Sequence, residues 1–254
     1  MSDHVLVEQA DGVLTLTLNR PEKKNALSAA MYASLGAAVA RADDDDAVRC
    51  ILLRAAGDSF CAGNDLADFV AVGGAESDGA AAPAAVAAFS FLRVLATART
   101  PIVAAVQGRA VGIGLTMLLH CDLVHLAEDA LLSAPFVDLG LVPEAASTLT
   151  LPARIGHVRA FSMFVLGETV SAEEAHAWGL ANTVVSVDEL DAFARASAAQ
   201  VAARAPGAVA ITKALMRDAD ALAERVDVEG RHFLERLRSP EAQQAFEQLL
   251  RRRR

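Results

Sequence analysis

The sequence predicts an α/β fold that ends in a helical part. Three observations carry that prediction: strands and helices alternate closely through the first half, the crossovers between them are mostly short, and past Pro152 nearly every segment has the helical period. As far as Ala134 the expected order is strand, strand, helix, strand, helix, strand, helix, strand, strand.

Val5 to Val7 and Val13 to Leu18 alternate apolar with polar residues around Asp11-Gly12, a hairpin signal. Asn19 to Leu27 breaks the pattern as a loop, and Ser28 caps a helix running to about Arg41. Val48 to Arg54 is a strand, and Ala55 to Leu66 leaves it as a loop turning into a short helix. Ala71 to Pro83, rich in glycine and alanine, has little to anchor it and is expected to be a mobile segment beside a site. A helix from about Ala84 to Ala98 ends at Arg99-Thr100-Pro101.

Ile102 to Val106 is a buried strand, and Gly108, Gly112 and Gly114 punctuate the chain before the helical Leu115 to Leu119. Leu123 to Leu126 and Leu131 to Ala134 are short strands. Beyond Pro152, helices are expected over His157 to Leu166, Ala172 to Trp178, Glu189 to Ala205 and Ala208 to Arg225, with one short strand near Thr183 to Val187. Val226 to Leu250 continues the helical pattern around a break at Ser239-Pro240. The expected division is a core over residues 1–200 and a helical region over 201–254, packed on the core or on another subunit of an oligomer.

A chain of 254 residues, 54% of them hydrophobic, can bury a sizeable core. Its net charge of -9 gives no general attraction to nucleic acid or to an anionic membrane, and Arg251 to Arg254 reads as a solvated tail. Cys50, Cys61 and Cys121 form no C-x-x-C pair and the six histidines are scattered, so no metal site is expected. Asp43 to Asp46 is read as a solvated turn, because neighbouring side chains diverge too far to share a cation. An odd cysteine count in a chain this large suggests a reducing compartment. The start, Met-Ser-Asp-His, lacks a secretory pattern, and Ile102 to Leu119 is interrupted by Gln107 and Arg109. A cytoplasmic protein is expected.

Chemistry concentrates in Pro135 to Pro152, where Glu144 follows Pro143 among apolar residues with no cation near it in sequence. Burial of such a carboxyl raises its pKa toward the range where it can take and return a proton; the same residue also reads as a helix-start glutamate facing the helix dipole. Two glycine loops, Cys61 to Asp65 and Gly108 to Gly114, follow strands expected to end near each other. Their backbone N–H groups could converge on one oxygen as an oxyanion hole, or the loops could be ordinary strand-to-helix turns. Gly108 to Gly114 lacks the dinucleotide-binding spacing.

The segments Asn19-Arg-Pro-Glu-Lys-Lys-Asn-Ala-Leu27, Phe60-Cys-Ala-Gly-Asn-Asp-Leu66, Pro101-Ile-Val-Ala-Ala-Val-Gln-Gly108 and Cys121-Asp122 occur in an order and spacing that closely resemble the enoyl-CoA hydratase/isomerase, or crotonase, family. The resemblance implies a crotonase-like spiral of repeated strand-strand-helix units with a helical C-terminal part, assembled as a homotrimer or a dimer of trimers. It implies an acyl-CoA thioester as substrate, with coenzyme A entering as part of that substrate and no separate cofactor. The oxyanion donors fall on the N–H groups of Asn64 and Ile113, and Lys24, Ala26, Ala62, Asp65 and Leu66 would line the CoA site, basic residues serving its phosphates.

Hydratases of the family hold water with two glutamates, and the matching positions here are Thr116 and Phe136. Neither can act as that acid or base. What remains is Glu144, and Pro135-Phe136, Leu139-Gly140 and Pro143-Glu144 resemble the Δ3,Δ2-enoyl-CoA isomerase branch, with Phe136 as a wall against water. The implied activity is isomerisation of 3-enoyl-CoA to 2-enoyl-CoA in fatty acid degradation. The alternatives are a hydratase working through Glu144 and a loosely held water, and a non-catalytic CoA-binding or RNA-binding scaffold.

Overall fold

The computed structural model describes residues 3–65 and 83–252. Leu66, and the expected mobile segment apart from Pro83, lie outside the described residues.

The chain opens with the hairpin β1 (Val5–Ala10) and β2 (Val13–Leu18), turning at Asp11 and Gly12, both in the left-handed region. Helix α1 (Ala29–Asp44) follows, its first turn capped by the Ser28 hydroxyl accepting from the Met31 N–H. Next come β3 (Cys50–Ala55), α2 (Pro83–Thr97), β4 (Ile102–Val106), β5 (Arg109–Val111) and the single-turn helix α3 (Ile113–Thr116). Strands β6 (Leu123–Ala127) and β7 (Leu131–Ser133) precede α4 (Ser147–Ile155) and α5 (His157–Val165). The rest is β8 (Val170–Ser171), α6 (Ala172–Ala177), β9 (Thr183–Val185), α7 (Val187–Ala202), α8 (Pro206–Met216), α9 (Ala219–Leu237) and α10 (Pro240–Arg252).

Two ladders run side by side. The large sheet has the order β1-β2-β3-β4-β6-β9, parallel except for the first hairpin. The small one has the order β5-β7-β8 and is extended by parallel bridges from Cys61 to Ala110 and from Leu27 to Asn64. Each turn of chain therefore adds one strand to the large sheet and one short extended segment to the small ladder: β2 then Leu27, β3 then Cys61 to Asn64, β4 then β5, β6 then β7. The expected strand-strand-helix spiral follows from this stagger.

Both faces of the large sheet are buried, which is why its strands read as continuous apolar runs. Ile51, Leu53, Ile102, Ala104 and Val106 face a core shared with α1, α2 and α9, while Cys50, Leu52, Val103 and Ala105 pack against Leu190, Ala194 and Ala198 of α7.

Three expectations need correction. Strands β5 and β8 were not anticipated, because three- and two-residue segments carry too few positions for a period to show. Ala208 to Arg225 is not one helix: it breaks at Arg217-Asp218, where Arg217 turns inward to bond the His120 and Leu95 carbonyls and the Asp218 carboxylate caps α9 through the Ala221 N–H. Glu144 does not stand in the first turn of a helix, since α4 begins three residues later. Among the described residues no helix is long and apolar enough to cross a membrane.

Candidate active site

The two glycine loops meet as predicted. Cys61 accepts from the Val111 N–H and donates to the Arg109 carbonyl, both at 2.9 Å. A side chain at Gly114 would place its Cβ 2.5 Å from the Cys61 carbonyl oxygen, so only glycine allows this approach.

On the far side, Leu27 bonds the Gly63 carbonyl and the Asp65 N–H, each at 2.9 Å, which turns the Asn64 N–H to the opposite edge. Ile113 opens α3, where the first N–H groups have no acceptor within the helix. Among the described residues neither N–H donates to another backbone group. Asn64 and Ile113 border the same cavity of ≈ 530 Å³, together with Ala62, Phe136 and, from the last two helices, Phe233 and Phe246. Phe136 also packs on Phe164, ring centres 6.4 Å apart.

Glu144, 4% exposed, is not among the residues lining that cavity. The Thr116 hydroxyl, at the other end of the single turn that Ile113 begins, donates to Glu144 Oε1 at 2.6 Å. Among the described residues no cation contributes to the titration of this carboxyl. Burial pushes its pKa up to about 8, opposed by the Thr116 hydrogen bond and assisted by the negative charge of Glu229. The backbone beside it is strained: Ala145 and Ala146 sit at φ 63° and 54°, in the left-handed region that costs a residue with a side chain about 1–2 kcal/mol.

The sequence reading left Glu144 as the only carboxylate in reach, and the structure adds a second. Glu229 of α9 is itself 4% exposed and accepts from the Thr148 N–H at 2.9 Å and the Thr148 hydroxyl at 2.5 Å, at the start of α4. Its pKa is also raised by burial. The signal for it was present: Leu222, Val226, Phe233 and Leu237 form a buried stripe at helical spacing, and Glu229 stands within that stripe.

Tyr32 was also missed. Buried on α1, it donates its hydroxyl to Asn64 Oδ1, and burial, with the charge of Glu144 next in weight, pushes its pKa well up. Nothing in the periodicity of α1 separates Tyr32 from an ordinary core aromatic.

The expected CoA-site residues are spread along an adjoining edge. Ala62 lines the cavity, and its N–H donates to the Lys24 carbonyl at 2.9 Å. Lys24, Ala26 and Asp65 are not among the residues lining that cavity. The Lys24 ammonium pairs with the exposed Asp58 carboxylate at 2.6 Å, an exposed pair that is readily exchanged for another anion. Asp65 is tied to Arg20 at 2.6 Å, and the same guanidinium donates to the Ala26 carbonyl at 3.2 Å. Arg20, unassigned from sequence, thus fastens the loop over 19–27 to the loop over 61–65. No group of three or more His, Cys, Asp or Glu side chains among the described residues could hold a metal ion.

A sheet-backed pair of backbone donors bordering one cavity, with a buried carboxyl bonded to the same helical turn that supplies one of them, fits acid–base chemistry on a carbonyl compound. Residues 8–253 match the sequence model of the enoyl-CoA hydratase/isomerase family, and the chain belongs to that family. It is 35% identical to the 1,2-epoxyphenylacetyl-CoA isomerase of Escherichia coli (strain K12), over 87% of this chain and 84% of that protein. It is 34% identical to enoyl-CoA delta isomerase 2 of Rattus norvegicus, over 85% of this chain and only 55% of that longer protein. The crystal structure of an enoyl-CoA hydratase/isomerase from Pseudoalteromonas atlantica T6c superposes with a TM-score of 0.90 at 39% identity, covering 98% of each chain.

Proposed function

We propose that the protein isomerises 3-enoyl-CoA thioesters to 2-enoyl-CoA, with Glu144 as the single proton carrier. The observation that carries this reading is the buried carboxyl held by Thr116, its pKa raised to about 8. A carboxyl of that basicity can both remove and return a proton near neutral pH.

Glu144 removes a proton from C2, and the electron pair delocalises into a dienolate whose oxygen accepts from the N–H groups of Asn64 and Ile113. The protonated Glu144 then delivers the same proton to C4, and the double bond comes to rest between C2 and C3. Thr116 holds Oε1, leaving the other carboxyl oxygen to carry the proton. The Phe136 ring, in the cavity wall, keeps water from the dienolate. Hydration is disfavoured because Thr116 and Phe136 occupy the places where a water-activating pair of carboxylates would stand.

Lys24 serves the CoA phosphates by exchanging its exposed Asp58 partner for them. Assembly with further copies, as a trimer or a dimer of trimers, belongs to the same proposal; exposed Val158, Phe161 and Leu166 on and just beyond α5 and Ile211, Leu215 and Met216 on α8 support it.

The test is to incubate the protein separately with 3-enoyl-CoA and 2-enoyl-CoA and identify the products. Conversion of the first to the conjugated isomer, lost in Glu144→Gln, supports the proposal. A fully active Glu144→Gln variant sinks it.

A further inference from the structure

Two left-handed alanines in succession do not persist unless their surroundings over-determine them. Two buried side chains hold the chain at and just beyond Ala145 and Ala146, and neither borders the cavity. On one side His120, 1% exposed at the end of the 3-10 turn Met117–His120, has Nε2 2.7 Å from the Ala145 carbonyl. On the other, Glu229 Oε1 accepts from the Thr148 N–H at 2.9 Å and the Thr148 hydroxyl, two residues beyond Ala146.

The protonation of His120 follows from its partners. A carbonyl can only accept, so Nε2 carries the proton; Nδ1 meets the Arg217 guanidinium, which can only donate, so Nδ1 offers its lone pair. Burial, and then the charges of Arg217, Arg154 and Lys213, lower the His120 pKa to about 3, so this neutral tautomer is fixed throughout the working range. Arg217 is itself anchored on the His120 and Leu95 carbonyls at 3.0 and 3.1 Å. The chain of contacts therefore runs from the α8–α9 break, through a neutral imidazole, to the carbonyl next to Glu144.

We propose that His120 and Glu229 are positioning residues that clamp the Glu144-Ala145-Ala146 turn, one through the Ala145 carbonyl and the other through the Thr148 N–H and hydroxyl that follow it, and so set the place of the Glu144 carboxyl. The inference rests on Glu144 being the base. It concerns kcat rather than substrate binding, because neither side chain meets the cavity where the thioester would lie.

Glutamine at position 120 supplies the same pair of functions, an amide oxygen for Arg217 and an N–H for Ala145, while leucine supplies neither. With 3-enoyl-CoA as substrate, His120→Leu is expected to lower kcat about 100-fold with KM unchanged, the loss that a displacement of about 1 Å produces. His120→Gln is expected to restore kcat to within about five-fold of the parent. Glu229→Leu is expected to lower kcat about ten-fold, and the double variant to lose less than the product of the two, since both act on one turn. If His120→Leu does not fold, as judged by circular dichroism, His120→Asn takes its place: it keeps the polar functions but is too short to serve both partners.

A second readout needs no turnover. The Glu144 carboxyl carbon, assigned by its absence in Glu144→Gln, is titrated by ¹³C NMR in the free protein. The titratable groups facing it are Glu229 from α9, Tyr32 from α1 and Cys61 from the glycine loop. In His120→Leu its midpoint is expected to move from about 8 toward the ordinary 4.5 as the turn relaxes toward water. An unchanged kcat and an unchanged midpoint in His120→Leu overturn the proposal, as does a His120→Gln variant no better than His120→Leu. Absence of 3-enoyl-CoA turnover by the parent protein overturns the function reading instead, and leaves the titration to judge the clamp.

Discussion

The two halves of the candidate site are built in opposite ways. The donor half, Asn64 and Ile113, is backbone fixed by backbone: ladder bonds at 2.9 Å on either side of Asn64, and a helix start after Gly112. The carboxyl half, Glu144, is a side chain on a strained turn, fixed by other side chains at Thr116, His120 and Glu229. The first tolerates changes of side chain and fails when an N–H is lost. The second tolerates little in its neighbours, because each removes one restraint from a conformation the backbone would not choose alone.

Four measurements break or sharpen this contrast. Glu144→Gln keeps the Thr116 contact but cannot carry the proton, and should lower the rate of isomerisation by about 1,000-fold or more in a product assay. On the donor side the equivalent loss is Ile113→Pro, which deletes one N–H at a first helical position where proline is accommodated; kcat should fall about 100-fold or more. Thr116→Val removes a hydrogen bond that favours the ionised carboxyl, so its pKa should rise further; the rate at pH 7 should fall about ten-fold and recover as pH is raised. Asn64→Ala keeps its N–H and loses only the Tyr32 contact, and should cost no more than a few-fold in kcat.

The pH profile tests the carboxyl half directly. The free enzyme must hold Glu144 ionised to begin, so kcat/KM should climb with pH and level off above about 8. Stability should move the other way. The folded carboxyl holds its proton up to about 8 and the unfolded one only to about 4.5, so this residue's contribution declines as pH rises through that window. Glu144→Gln removes that decline, and at pH 9 should be more stable than the parent to chemical denaturation, by an amount on the order of a few kcal/mol.

The donor half was legible in the sequence because its determinants are local: glycines at 63, 108 and 114 report a close backbone approach wherever the rest of the chain goes. Glu144 was legible as a carboxylate in apolar surroundings. What holds it was not. Thr116 was read only for the acid it lacks, His120 as one scattered histidine, and Glu229 as part of a helix, since 81 residues separate Thr148 from Glu229 and no period spans such a distance. The strands of the large sheet were read from their apolar runs, whereas β5 and β8 exist only through pairing with distant partners.

That separation also has a consequence for biosynthesis. At about 5–20 residues per second, roughly 4 to 16 seconds pass between the ribosome adding Thr148 and adding Glu229. The spiral can wind during that interval, yet the Thr148 N–H and hydroxyl beside the Glu144 turn wait for their acceptor until α9 has been made and docks. The cavity is completed later still, by Phe233 and Phe246 of the last two helices, so the held carboxyl and the cavity wall are both late products of synthesis.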